Sequence, residues 1–164
     1  MQPTRREFLN LAGGAMLTAG ALAGAGKAAA ANDRIQFAGI GLRSRGWALT
    51  RCAHESGLAD IAALCDVDQK VLEKRAAEVK EMTGKTPRLY QDVRELYADE
   101  GIDAVAIAVP NHWHVLAAIW AMQAGKDVYV EKPISHTIFE GRQLVNAWKK
   151  TGRVVQHGTQ RRSE

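Results

Sequence analysis

The chain reads as an α/β protein built on a doubly wound, mostly parallel sheet, and three observations carry that reading. From Arg34 onward, short apolar or β-branched runs alternate with longer amphipathic stretches, the rhythm of a βαβ chain. The runs are apolar almost throughout, as strands covered by helices on both faces must be. Polar clusters stand directly after the runs, at the carboxyl ends of strands where such sheets collect their ligands.

Taken in order, the expected strands are 34–40 (RIQFAGI), 60–65 (DIAALC), 103–109 (DAVAIAV), 127–131 (DVYVE) and 153–157 (RVVQH), in a sheet of six. Helices are expected near 45–55, 68–82, 91–99, 114–124 and 137–150. Gly57, Gly84, Gly101, Gly125 and Gly152 stand where helices close, and Asp68 and Thr137 stand where the second and fifth would be capped. There is no internal repeat, low-complexity linker or heptad run.

Residues 1–31 read as a twin-arginine export signal, removed from the mature protein. Arg5 and Arg6 are followed by Phe8 and Leu9, a mildly apolar run rich in Gly and Ala, and small residues suited to cleavage, with Lys27 disfavouring the ordinary secretory route. Gly13, Gly14, Gly20, Gly24 and Gly26 argue against a stable membrane-spanning helix there. The expectation is a protein exported by the twin-arginine machinery to the periplasm or beyond, with no membrane association after cleavage. Residues 32–160 are expected to form one domain, whose ligand the motifs below address, and 161–164 to be the start of a further segment.

The 164 residues, 46% hydrophobic and 24% charged, suffice for one sizeable core. The net charge of +4 does not imply nucleic acid, because Lys and Arg are interspersed with Asp and Glu and form no basic stripe. Cys52 and Cys65 are read as core thiols without a bridge.

The stretch "GLRSRG", residues 41–46, follows the first strand and nearly spells a glycine fingerprint for a diphosphate. Two registers fit: Gly39, Gly41 and Ser44, or Gly41, Arg43 and Gly46. The first keeps close backbone approach and a small third residue, whereas the second keeps the last glycine and puts Arg in the middle place. Either way the turn feeds a helix N-terminus, whose free N–H groups attract a diphosphate. Arg43 or Arg45 can add a charged donor if the side chain points outward. Asp66, twenty positions past Gly46 at the tip of the second strand, suits an adenosine ribose and repels a 2′-phosphate. The cofactor is therefore NAD or NADP, with NAD favoured. His112 and His114 in "HWH" lack a third ligand, so no metal is expected. Trp113 and Trp120 are read as packing residues, while His157 and Gln160 follow the last strand, near cofactor or a next domain.

The motifs "GLRSRG", "LCDVD", "IDAVAIAVPNHWH", "AGKDVYVEKP" and "GRVVQHGTQRR" resemble the glucose-fructose oxidoreductase, inositol dehydrogenase and MocA family, specifically its exported members. The resemblance runs from about Asp33 to Arg162, and Arg43 departs from it where the family usually carries glycine. It implies a Rossmann fold and an NAD(P)-dependent oxidoreductase acting on a sugar or sugar derivative. By the same resemblance, Pro110 and Asn111 line the cofactor cleft, with Asn111 toward the nicotinamide. His114 lies near the substrate, Glu131 binds the nicotinamide-side ribose, and Lys132 sits where hydride chemistry occurs. An amine there can hold a sugar hydroxyl and help its proton leave. Lys132 and His114 are thus the expected catalytic residues. The resemblance also implies a second α/β domain, a catalytic Asp or His in it, and a homo-oligomer at full length; this chain is then the cofactor half, binding weakly and turning over little alone. Two other readings stand beside this one: a glycoside hydrolase using transient, NAD-dependent sugar oxidation, and a non-catalytic NAD-binding module.

Overall fold

The computed structural model describes residues 34–159, so the signal, Gln160 and Arg161–Arg162 lie outside the described residues. Within them run β1 (Ile35–Ile40), α1 (Ser44–Glu55), β2 (Ala59–Cys65), α2 (Gln69–Thr83), β3 (Arg88–Tyr90) and α3 (Val93–Ala98). They continue with β4 (Ala104–Ile107), α4 (Asn111–Gln123), β5 (Asp127–Glu131), α5 (Ile138–Thr151) and β6 (Val155–Gly158). The strands form one all-parallel sheet in the order β3-β2-β1-β4-β5-β6. The doubly wound expectation holds, and the order reverses between β1 and β4.

The reversal divides the core. Leu42, Ile61, Leu64, Leu72 and Val79, with Trp47 and Val71 against them, bind α1 and α2 to one face. Ala38, Ile40, Val105, Ile107, Val128 and Val130 meet Leu96, Tyr97, Val115, Ala118, Met122 and Leu144 of α3, α4 and α5. Each fully buried Leu among them contributes about 1.5–3 kcal/mol relative to exposure. A bulge in the β1–β2 pairing, where Phe37 faces Ile61 but Ala38 faces Ala63, explains how Ile61 joins one cluster and Ala63 the other. The hydroxyl of Tyr97, buried in the larger cluster, donates to the carbonyl of Ala117 at 2.9 Å.

Helix ends follow local chemistry. Asp68 accepts from the Lys70 N–H, Asp92 from that of Arg94, and Thr137 forms a capping box with Glu140. Gly84 and Gly152 close α2 and α5 in the left-handed region. Gly101 does not close a helix, because α3 already stops at Asp99, in extended backbone. Strand β3 lies at "RLY", pairing with β2 alone, and α4 begins three residues before the expected 114. Cys52 is exposed on α1, so it is no core thiol; Cys65 is buried, and both are free.

Candidate functional site

Because every strand is parallel, the segments after all six strands share one rim. Hydrogen bonds fix the glycine turn there: the Gly41 N–H donates to Cys65 O at 2.9 Å and the Leu42 N–H to Asp66 Oδ2 at 2.8 Å. From beneath, Arg75 donates its Nε to Leu42 O at 3.1 Å while its guanidinium lies 4.6 Å from the Trp47 ring centre. Nothing in the local sequence marks Arg75 as a brace, since it lies 33 positions from its partner.

The glycines have separate steric duties. Gly41 turns at φ +79°, and a Cβ there would stand 2.5 Å from the Ala108 carbonyl oxygen. A Cβ on Gly46 would stand 1.6 Å from the Gly41 carbonyl oxygen, and one on Gly39 would meet the Thr50 hydroxyl at 2.2 Å. Close packing of α1 onto the turn thus falls to Gly46, whereas Ser44 is exposed. Arg43 precedes α1 with φ −79° and ψ 169°, ordinary extended backbone, so its replacement of a glycine strains nothing. Its side chain reaches outward to Asp68 Oδ2 at 2.6 Å.

Five described helices begin on this rim, and three carry side-chain caps. The exceptions are α1 and α4, which have neither a capping side chain nor an acid in the first turn. These two flank the point where strand order reverses, across the contact of Gly41 with Ala108. Their first-turn N–H groups and positive dipole ends converge on one crevice, a donor set suited to a diphosphate. Asn111 opens α4 and is exposed with Pro110; Asp66 lies half-buried at the tip of β2, its Oδ1 accepting the Asp68 N–H at 3.0 Å.

On the far side, Glu131 ends β5 and is only 4% exposed. It accepts from Arg45 Nε at 2.7 Å and from the Lys132 backbone N–H at 3.1 Å. The hydrogen bond that Arg45 donates to Glu131, reinforced by the charge of that carboxylate, raises the Arg45 pKa above its ordinary value. The Lys132 side chain is exposed, and the Lys132–Pro133 peptide is cis. His114 stands apart from the crevice-lining set. Its ring is 1% exposed, with Nδ1 2.7 Å from Pro133 O and Nε2 2.8 Å from Val109 O, tying α4 to the segments after β4 and β5. Both nitrogens are occupied by backbone carbonyls. His112 and Trp113 are exposed in the first turn of α4, with Trp113 6.4 Å from Trp120 between ring centres. His157 lies half-buried in β6. No group of three or more His, Cys, Asp or Glu gathers among the described residues in a way that could hold a metal ion.

A depression of about 380 Å³ on the opposite rim, lined by Asp103, Lys126, Asp127 and Arg153, offers no comparable donors. Asp103 and Asp127 accept the N–H groups of Gln36 and Val154, and Lys126 and Arg153 donate to the carbonyls of Asp99 and Gly125. The polar groups of these four residues are spent on the fold.

Residues 34–159 match the model of the oxidoreductase family with an NAD-binding Rossmann fold, GFO_IDH_MocA. The chain belongs to this family. A glycosyl hydrolase family 109 protein of Shewanella pealeana is 34% identical over 122 residues, covering 72% of this chain and 26% of its own. Among solved structures of similar fold, myo-inositol 2-dehydrogenase from Lactobacillus plantarum superposes with a TM-score of 0.70 at 27% identity, over 80% of this chain and 38% of its own. GenD2 from gentamicin A biosynthesis, in complex with NAD, gives 0.67 at 26% identity, over 77% and 34%. The chain thus spans about a quarter of the length of the curated relatives it matches. The family's fold binds NAD, and the glycine cradle and uncapped helices of this chain fit such a cofactor.

Proposed function

We propose that this domain holds NAD for an exported oxidoreductase acting on a sugar or sugar derivative. The observation that carries the reading is the pair of uncapped helices, α1 and α4, facing one crevice whose floor is the Gly41 turn. The amides of both helices bind the diphosphate, and Asp66 accepts from the adenosine ribose. Asn111 borders the nicotinamide half. Glu131, held by Arg45, fixes the backbone of Lys132, whose exposed side-chain nitrogen holds a substrate hydroxyl and helps its proton leave. When bound, the nicotinamide supplies hydride acceptance. His114 supports this rim as a brace between backbone segments. The twin-arginine pattern supports export, and the inositol dehydrogenase neighbour supports a polyhydroxylated substrate.

The name of the Shewanella relative favours a second reading, glycoside cleavage through transient oxidation of the sugar. Calorimetric titration of the protein with NADH tests the common ground: saturable one-site binding is expected, and its absence overturns the proposal. Incubation with NAD, polyols and chromogenic glycosides then separates the readings. Accumulating NADH supports the first, and aglycone release without net NADH the second.

A further inference from the structure

We infer that Asp68, acting through Arg43, makes this domain choose a dinucleotide with a free adenosine 2′-hydroxyl over one carrying a 2′-phosphate; the inference rests on the nucleotide reading above. At the end of β2 the Asp66 carboxylate cannot turn away, because Oδ2 accepts the Leu42 N–H at 2.8 Å and Oδ1 the Asp68 N–H at 3.0 Å. Each oxygen keeps a lone pair for a ribose hydroxyl. Beside it, Asp68 works in two directions. Its Oδ1 caps α2 by accepting the Lys70 backbone N–H at 3.0 Å, and its Oδ2 holds Arg43 Nη2 at 2.6 Å.

Arg43 is the arginine of the glycine turn positioned to meet a 2′-phosphate, since Arg45 is engaged by Glu131 and Arg75 by Leu42 O and Glu78. While Asp68 holds it, the three side chains Asp66, Asp68 and Arg43 sum to one negative charge. A hydroxyl donor is welcome there, and a dianionic phosphate is repelled. With the Asp68 charge removed, the Arg43 fork is available to a phosphate and the local sum is zero. Asp68 therefore positions Arg43 and sets specificity, besides capping a helix.

The test is titration of the full chain with NADH and with NADPH. Asp68→Asn keeps the α2 cap, because Asn caps as well as Asp. It is expected to raise the affinity for NADPH relative to NADH about tenfold, from removing one charge at close range in a solvated site. Adding Arg43→Gln to Asp68→Asn should abolish the gain. Arg43→Gln alone, which leaves the cap intact, sets both carboxylates uncompensated beside the ribose and should weaken NADPH more than it weakens NADH. An unchanged preference in Asp68→Asn, or a gain that survives Arg43→Gln, overturns the assignment while leaving the nucleotide site standing. A wild-type chain that binds neither dinucleotide overturns both.

Discussion

Gly46 has no room for even one carbon more, and the obstacle is a backbone oxygen that cannot rotate away. Gly46→Ala should therefore lower stability by about 1–3 kcal/mol through overpacking at the turn, read as a lower denaturant midpoint. Gly84→Ala meets open space and only its positive φ, so its cost should stay near 1 kcal/mol. Burial, with the charge of Asp66 second, pushes the Cys65 thiol from 9.0 up to about 12. A pKa raised in the folded state adds stability below pH 9 that is lost as pH climbs toward 12. Cys65→Val should remove that alkaline component, and iodoacetamide at neutral pH should label exposed Cys52 while sparing Cys65 until the chain unfolds. At this scale the sequence showed that glycines and an acid meet at a turn. It could not decide between Ser44 and Gly46, because that depends on which residue faces the strand.

Between elements, the Arg45–Glu131 pair spans 86 positions and joins the start of α1 to the end of β5. Removing either partner is not equivalent. Arg45→Met strands a buried carboxylate and should cost about 1–3 kcal/mol, whereas Glu131→Gln leaves a solvated guanidinium and should cost less; chemical denaturation ranks the two. Glu131 and Arg45 were each visible as site residues, but their pairing was not, since nothing local links them. The same limit hid β3: three residues on a sheet edge show no apolar run. Helix α4 starts early because Pro110 stands as its N-cap, so that the helix begins at Asn111, among residues whose polarity imitates a loop. The four remaining helices and five long strands were legible, because each carries its own periodicity and stop signals.

At the scale of the molecule, one parallel sheet gathers clusters scattered from Gly39 to Gly158 onto a single rim, and the 3-2-1-4-5-6 order places α1 and α4 on either side of its crevice. Sequence order alone reached that rim, since parallel strands put every following loop on one edge. Ligand linkage gives a global check: NADH at a hundredfold excess over its dissociation constant should stabilise the fold by about 2.7 kcal/mol, read as a higher melting temperature. The most direct test maps where the nucleotide lies, by following backbone amide resonances as NADH is added. The largest shifts are expected at Leu42–Gly46 and at Asn111–His112, with smaller ones at Asp66 and Lys132. Shifts confined to the opposite rim, around Asp103 and Lys126, would contradict that placement.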